Sequence, residues 1–284
     1  QLLQAQKLEA IGRLAAGIAH EINTPTQYVG DNLMFMQTSF ERLTGFVSTL
    51  CTWIEDAERE GVSRAELDEV AGRMKEENLN YLVGEVPEAA GQALEGVGRI
   101  SEIVLAMKEF SHPPSKERQP TNINQCIRST ATVARNEWKY LAEMELDLAE
   151  DLPQIPCLPG EFNQTILNLI VNAAHAIDDV RKETGSHDLG TIRIRTSHDE
   201  TWVTIEIEDS GAGIPHEIAE RIFDPFFTTK EVGKGTGQGL AIARSCIVDK
   251  LDGEMTFESS PGEGTTFTMK LPLANVKRET EGAS

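Results

Sequence analysis

The chain has 284 residues with 46 acidic against 26 basic side chains, a formal charge of −20 and a pI near 4.7. Neutralising nucleic-acid phosphates takes a basic excess, so this balance argues against nucleic acid and against anionic membranes as partners. A hydrophobic content of 39% with 25% charged residues is ordinary globular composition, and no apolar run approaches the roughly 18 residues of a membrane span.

The length suggests roughly two domains, each able to bury its own core. Cys51, Cys126, Cys157 and Cys246 form no CxxC pair and read as buried, reduced thiols in a cytosolic setting. The chain opens Gln1-Leu2-Leu3-Gln4, without Met or a secretory apolar segment, and is expected to be a fragment of a longer protein.

From Gln1 to about Ser111 the pattern is helical. Leu8, Ile11, Leu14, Ala15, Ile18 and Ile22 recur at three- and four-residue steps, and Leu94, Val97, Ile100, Val104, Met107 and Phe110 do the same. The stretch between them holds Gly61, Gly84 and Pro87, and Ser63 with Glu66 resembles a capping box opening a short helix to about Glu77. Two narrow apolar stripes make a thin core, so the hairpin is expected to dimerise into a four-helix bundle. Ser111-His112-Pro113-Pro114 should end the helices, which puts a helical domain at 1–112, a linker at 113–119, a second domain at 120–275 and a tail at 276–284.

Within the helical part, His20-Glu21-Ile22-Asn23-Thr24-Pro25 stands out. At about 100° per residue His20 lies about 200° from Ile18, the centre of the apolar stripe, and so faces solvent. Thr24 is one turn further on, Glu21 flanks the histidine, and Pro25 should kink the helix. A lone exposed His-Glu pair is usually a solvated surface pair. An exposed imidazole with an adjacent carboxylate is nevertheless a competent nucleophile.

The remainder reads strand, helix, strand, helix, hairpin, helix, loop, helix, strand, strand. Alternation predicts strands over Thr191–Thr196, Trp202–Glu208, Glu254–Glu258 and Thr265–Leu271, and helices over Asn124–Trp138, Glu161–Val180, His216–Phe223 and Gly239–Leu251. The expected fold is α+β, a two-layer α/β sandwich on a mainly antiparallel sheet, following the helical hairpin. Asn168 and Asn172 are one turn apart on an apolar helix, which favours a divalent cation or phosphate partner. Asp209 with Gly211 and Gly213 closes a strand, where a buried carboxylate can accept from an exocyclic amine. After Phe223-Asp224-Pro225-Phe226-Phe227 and Lys230, glycine recurs at Gly233, Gly235, Gly237 and Gly239, an anion-binding opening for a helix and a candidate lid; neither a Walker loop nor a dinucleotide fingerprint is present.

Taken together, the motifs resemble those of the sensor histidine kinases of two-component systems. The phosphoacceptor box resembles His20 to Pro25, the asparagine box Asn168 to Ala173, the glycine boxes Asp209 to Gly213 and Gly235 to Gly239, and the phenylalanine box Phe223 to Phe227, in the family's order. The resemblance implies that His20 takes the γ-phosphoryl of ATP and passes it to an aspartate on a response-regulator receiver domain. Glu21 would be base or orienting partner, and Thr24 would position water for dephosphorylating the regulator. It also implies that Asn172 with Asn168 holds Mg²⁺ and that Asp209 reads adenine. His175, Gly211, Gly213, Phe223, Lys230, Gly235, Thr236, Gly237, Gln238, Gly239 and Leu240 would complete the nucleotide contacts. A homodimer and the cytoplasmic portion of a sensor are implied as well, with any membrane attachment through an upstream region. Gln238 and Leu251-Asp252 depart from the family's usual Leu and His-Gly.

Two other readings remain. An ATP-driven clamp of the gyrase and chaperone class places a glutamate one turn before the metal-binding asparagine as base for water, where this chain has Asn168. A non-catalytic kinase-like adaptor is the other.

Overall fold

A computed structural model of the chain describes residues 2–61, 63–110, 117–230 and 237–273. The chain divides into two units, residues 19–102 and the remainder, 1–18 with 103–284.

The first unit is an antiparallel helical hairpin. It lies within α1 (Leu2–Glu60), α2 (Arg64–Glu76) and α3 (Leu79–Phe110). The two long helices are tied by Glu21 to Arg99 and Asn32 to Gln92, and Arg42 of α1 meets Glu77 at the C-terminus of α2. The buried residues of α3 here are small as well as apolar: Leu79, Leu82, Val86, Ala89 and Ala93, with Gly96 continuing the step. At Gly96 the helices approach so closely that a Cβ would lie 2.6 Å from both Tyr28 and Val29.

Two expectations are corrected here: Cys51, expected buried, lies exposed on α1, and the stretch between the long helices is shorter than expected. Gly84 and Pro87 do not belong to a connecting stretch but to α3, where both are exposed. The apolar period from Leu79 to Ala93 carries the helix through them, because burial of that stripe outweighs the local cost of each breaker. Pro25 sits inside α1, buried on the seam, with Thr24 and Thr26 donating to the carbonyls of His20 and Ile22. The capping box at α2 is as expected: Glu66 N–H donates to Ser63 Oγ at 3.3 Å and Ser63 N–H to Glu66 at 2.7 Å, and the Ser63 hydroxyl together with that backbone N–H holds the Glu66 carboxyl below its ordinary range. The predicted break at 111–114 lies outside the described residues.

The second unit holds a two-layer sandwich. A five-stranded sheet in the order β2-β4-β5-β7-β6 comprises β2 (Ala142–Leu148), β4 (Gly190–His198), β5 (Trp202–Asp209), β6 (Glu254–Ser260) and β7 (Gly264–Pro272). Only the β2–β4 pairing is parallel. A separate small ribbon joins β1 (Gln119–Thr121) to β3 (Ile155–Cys157). The helices are α4 (Ile123–Val133), α5 (Arg135–Trp138), α6 (Pro159–Thr184) and α7 (Gly239–Arg244), the last running on as a π-helical turn over Ser245–Lys250. The segment expected as a helix from His216 is instead a 3₁₀ turn, His216–Arg221.

Period-2 alternation makes the core. Ile192 and Ile194, Val203, Ile205 and Ile207, and Phe267, Met269 and Leu271 turn inward, where α6 brings Ile166, Leu169, Ile170, Ala173 and Ile177. The opposite face carries a charged ladder, Arg193 between Glu145 and Glu208 and Arg195 between Glu206 and Glu208. No helix among the described residues is long and apolar enough to cross a membrane.

Candidate functional site: a nucleotide pocket and an exposed histidine

One face of α6 organises the second unit's site. Asn168, Asn172, His175 and Ala176 recur at three- and four-residue steps, so they share that face, and each but Asn172 meets a different element. Asn168 Nδ2 donates to the Gly239 carbonyl at 3.1 Å while its Oδ1 accepts from Gln164 at 3.0 Å. Its amide therefore joins α6 to the start of α7. The Asn172 side chain is half-buried and makes no hydrogen bond to another described residue, which leaves its Oδ1, a hard ligand suited to Mg²⁺, available on the same face.

His175 meets Lys230 at 2.6 Å, Nδ1 to Nζ. The ammonium has only donors, so the imidazole accepts and Nδ1 carries no proton. This contact holds a cation beside the asparagine face, at the last described residue before 231–236. Gly235 and Thr236 fall in that segment, outside the described residues. Gln238 is the N-cap of α7 and its carbonyl accepts from Ile242; Gly237, Gly239 and Leu240 are half-buried around it.

Ala176 meets the turn after β5. A Cβ on Gly211 would lie 2.5 Å from that of Ala176, so only glycine lets the turn press this close to the helix. Asp209 is the last inward-facing residue of β5, in line with Val203, Ile205 and Ile207, and is 6% exposed. Burial pushes its carboxyl up to about 6, partly offset by N–H donors from Gly211, at 2.9 Å, and Thr265. The strand period alone thus sets a single carboxylate at the mouth of an apolar sheet end, ready to accept from an amine. Gly213, with a left-handed φ of 72°, completes the turn.

Phe223 lies in an aromatic row rather than in open space. Its ring meets Phe257 edge-on at 5.9 Å, Phe257 meets Phe267 at 5.8 Å, and the Arg244 guanidinium caps Phe223 at 5.2 Å. The phenylalanine segment is thereby pinned to the sheet and to α7. Phe226, by contrast, is 70% exposed in a left-handed conformation, φ 69°.

In the hairpin unit, His20 and Thr24 are exposed on one face of α1, and the Thr24 hydroxyl donates to the His20 carbonyl at 2.9 Å. Glu21 does not flank the histidine on the surface. It is buried on the seam, and its Oε2 accepts from Arg99 Nη2 at 2.8 Å. Arg99 and Gln164 are the residues sequence reasoning passed over. Arg99 could have been found by asking what a carboxylate three residues after Ile18 must pair with, since a seam position leaves it no water.

The family described as Histidine kinase-, DNA gyrase B-, and HSP90-like ATPase matches residues 158–275. Sensor kinase CckA of Brucella abortus is 27% identical over 289 residues, covering 100% of this chain and 26% of that protein. Sensor histidine kinase ZraS of Escherichia coli is 28% identical over 283 residues, covering 99% and 50% respectively. Among solved structures, the catalytic domain of histidine kinase ThkA is 30% identical, covers 55% of this chain and 96% of that one, and superposes with a TM-score of 0.47. The chain spans between about a quarter and a half of the length of these two curated relatives. The ATPase family model is thus matched over α6 to β7, and the sensor kinases are similar to the chain across the hairpin as well.

Proposed function

We propose that this chain is an ATP-dependent autokinase that phosphorylates His20 and then donates the phosphoryl group to an aspartate of a response-regulator receiver domain. A ring nitrogen of His20 attacks the γ-phosphorus, the bond to the β,γ-bridging oxygen breaks, and ADP leaves. Asp209 accepts from the adenine amine, and Lys230 with the N-terminus of α7 faces the phosphates. Mg²⁺, held by Asn172, would neutralise phosphate charge. Asn168, assigned to the metal from its spacing, has both amide ends engaged by protein, so its part is to hold α7 in place. That same observation carries the choice between kinase and clamp. One turn before Asn172 there is an amide committed to Gly239 and unable to take a proton from water, whereas His20 is exposed.

A homodimer belongs to the same proposal. On α3, Leu94 is 73% exposed and Val104 and Leu105 are each 52% exposed, and on α1 Leu33, Met34, Phe40 and Val47 are also exposed. A second hairpin would bury this surface as a four-helix bundle.

Incubation with labelled ATP and Mg²⁺ should give protein-bound label that survives alkali and is lost in acid, and His20→Gln should abolish it. Label retained in that variant overturns the assignment. Steady phosphate release without bound label would favour the clamp.

A further inference from the structure

Glu21 occupies a place where a helix seam ordinarily puts an apolar side chain. Ile18, Glu21 and Pro25 are buried in succession at steps of three and four, and the stripe continues to Tyr28 and Val29 opposite Gly96. His20, one residue earlier, is turned about 100° away and is exposed. The carboxylate therefore lies inside the hairpin and its neighbouring imidazole outside. An ion in such a place is costly without a partner of opposite charge. Arg99 of α3 provides one at 2.8 Å, with the Glu21 side chain 8% exposed and that of Arg99 39%. A second ion pair in the hairpin, Arg42 with Glu77, is a surface contact, 40% and 42% exposed, of a kind that contributes little.

We infer that Arg99 is a positioning residue for phosphoryl transfer at His20, acting through Glu21. The guanidinium fixes where the carboxylate sits across α1. The orientation of the adjacent imidazole, and the path of the proton that leaves it, then depend on a side chain of the opposite helix. Because the two partners stand on different helices, a slide or rotation of α1 against α3 alters the pair and the transfer together. This inference rests on the reading of His20 as the acceptor.

The test follows initial rates of phosphohistidine formation against ATP concentration, in the whole chain, for Arg99→Met, Arg99→Lys, Glu21→Gln and the Arg99→Met/Glu21→Gln double variant. Arg42→Met is the control, and thermal melting is recorded for each. We expect Arg99→Met to lower kcat about tenfold or more while KM for ATP stays within about twofold. Arg99→Lys should recover most of the rate, and the double variant should be no slower than Glu21→Gln alone, because the second change acts through the first. Losses that multiply in the double variant, an unchanged Arg99→Met rate, or an equal fall in Arg42→Met would each overturn the role of Arg99. If Arg99→Met does not fold, Arg99→Gln, which is polar but cannot supply the positive charge, replaces it in the same cycle. A wild-type chain that forms no phosphohistidine overturns the reading of His20 as well; one that labels normally while Arg99→Met labels equally overturns the role of Arg99 alone.

Discussion

Ile192, Ile194, Val203, Ile205 and Ile207 of the ATPase unit are fully enclosed between sheet and helices, whereas in the hairpin unit Leu94 and Val97 face outward and the seam is filled by Ala89, Ala93 and Gly96. Both units obey the same rule of apolar periodicity. The sheet meets it with large β-branched side chains against α6. The hairpin meets it with small ones that let two helices approach, while larger apolar residues such as Leu94 and Phe40 stay exposed. One unit is thus complete in itself; the other has its internal core built and a second apolar face still to cover.

Ile205→Ala should break the first half of this contrast most strongly. Truncating a fully buried residue of a closed core costs about 3 kcal/mol, and denaturant unfolding of the ATPase transition would read it. A loss under about 1 kcal/mol would mean that the sheet core is less well enclosed than the geometry implies. Next in size, Gly96→Ala puts a Cβ 2.6 Å from Tyr28 and Val29, and should destabilise the hairpin by about 2 kcal/mol through overpacking. A neutral result in thermal melting would show a looser seam.

The smallest and most site-specific prediction concerns Asp209, whose carboxyl is raised to about 6 by burial. Only the ionised form accepts from the adenine amine in full. Nucleotide affinity should therefore fall below pH 6, approaching tenfold, about 1.4 kcal/mol, for each further pH unit. Stability moves the other way. A carboxyl raised in the fold binds its proton more tightly there than in the unfolded chain, so its contribution is present below the unfolded value of 3.8 and is lost as pH rises through about 6. Calorimetric titration of ADP and thermal melting, each compared with Asp209→Asn between pH 5 and pH 7, should show the two opposite slopes in the wild type alone. Matching pH profiles in the two proteins would remove Asp209 from both effects.

Much of this was legible in the residue order because it depends on neighbours along the chain. The capping box at Ser63 and Glu66, the alternation in β4 to β7, the two asparagines one turn apart and the exposure of His20 follow from periods of 3.6 and 2. The helix through Gly84 and Pro87 was not legible, since local propensity argues against it and only the burial of Leu82, Val86 and Ala89 reverses the balance. Nor was the division between Asn168 and Asn172, identical in type and equivalent in spacing. What separates them is the Gly239 carbonyl, 71 residues further on, that happens to come within reach of only one.

Asp252 is a last instance. Its φ of 55° is a left-handed conformation that favours glycine, and its carboxylate meets Arg118 at 2.7 Å, a contact that no window of sequence contains. Residue order by itself determined most of the elements, the identity of the reactive side chains and the faces of His20 and Asp209, because these are fixed by short-range stereochemistry. Which of those side chains are tied to protein and which remain for a ligand was decided only when distant segments were brought into contact, since a hydrogen bond or ion pair is set by distances of about 3 Å that the chain's own spacing does not specify.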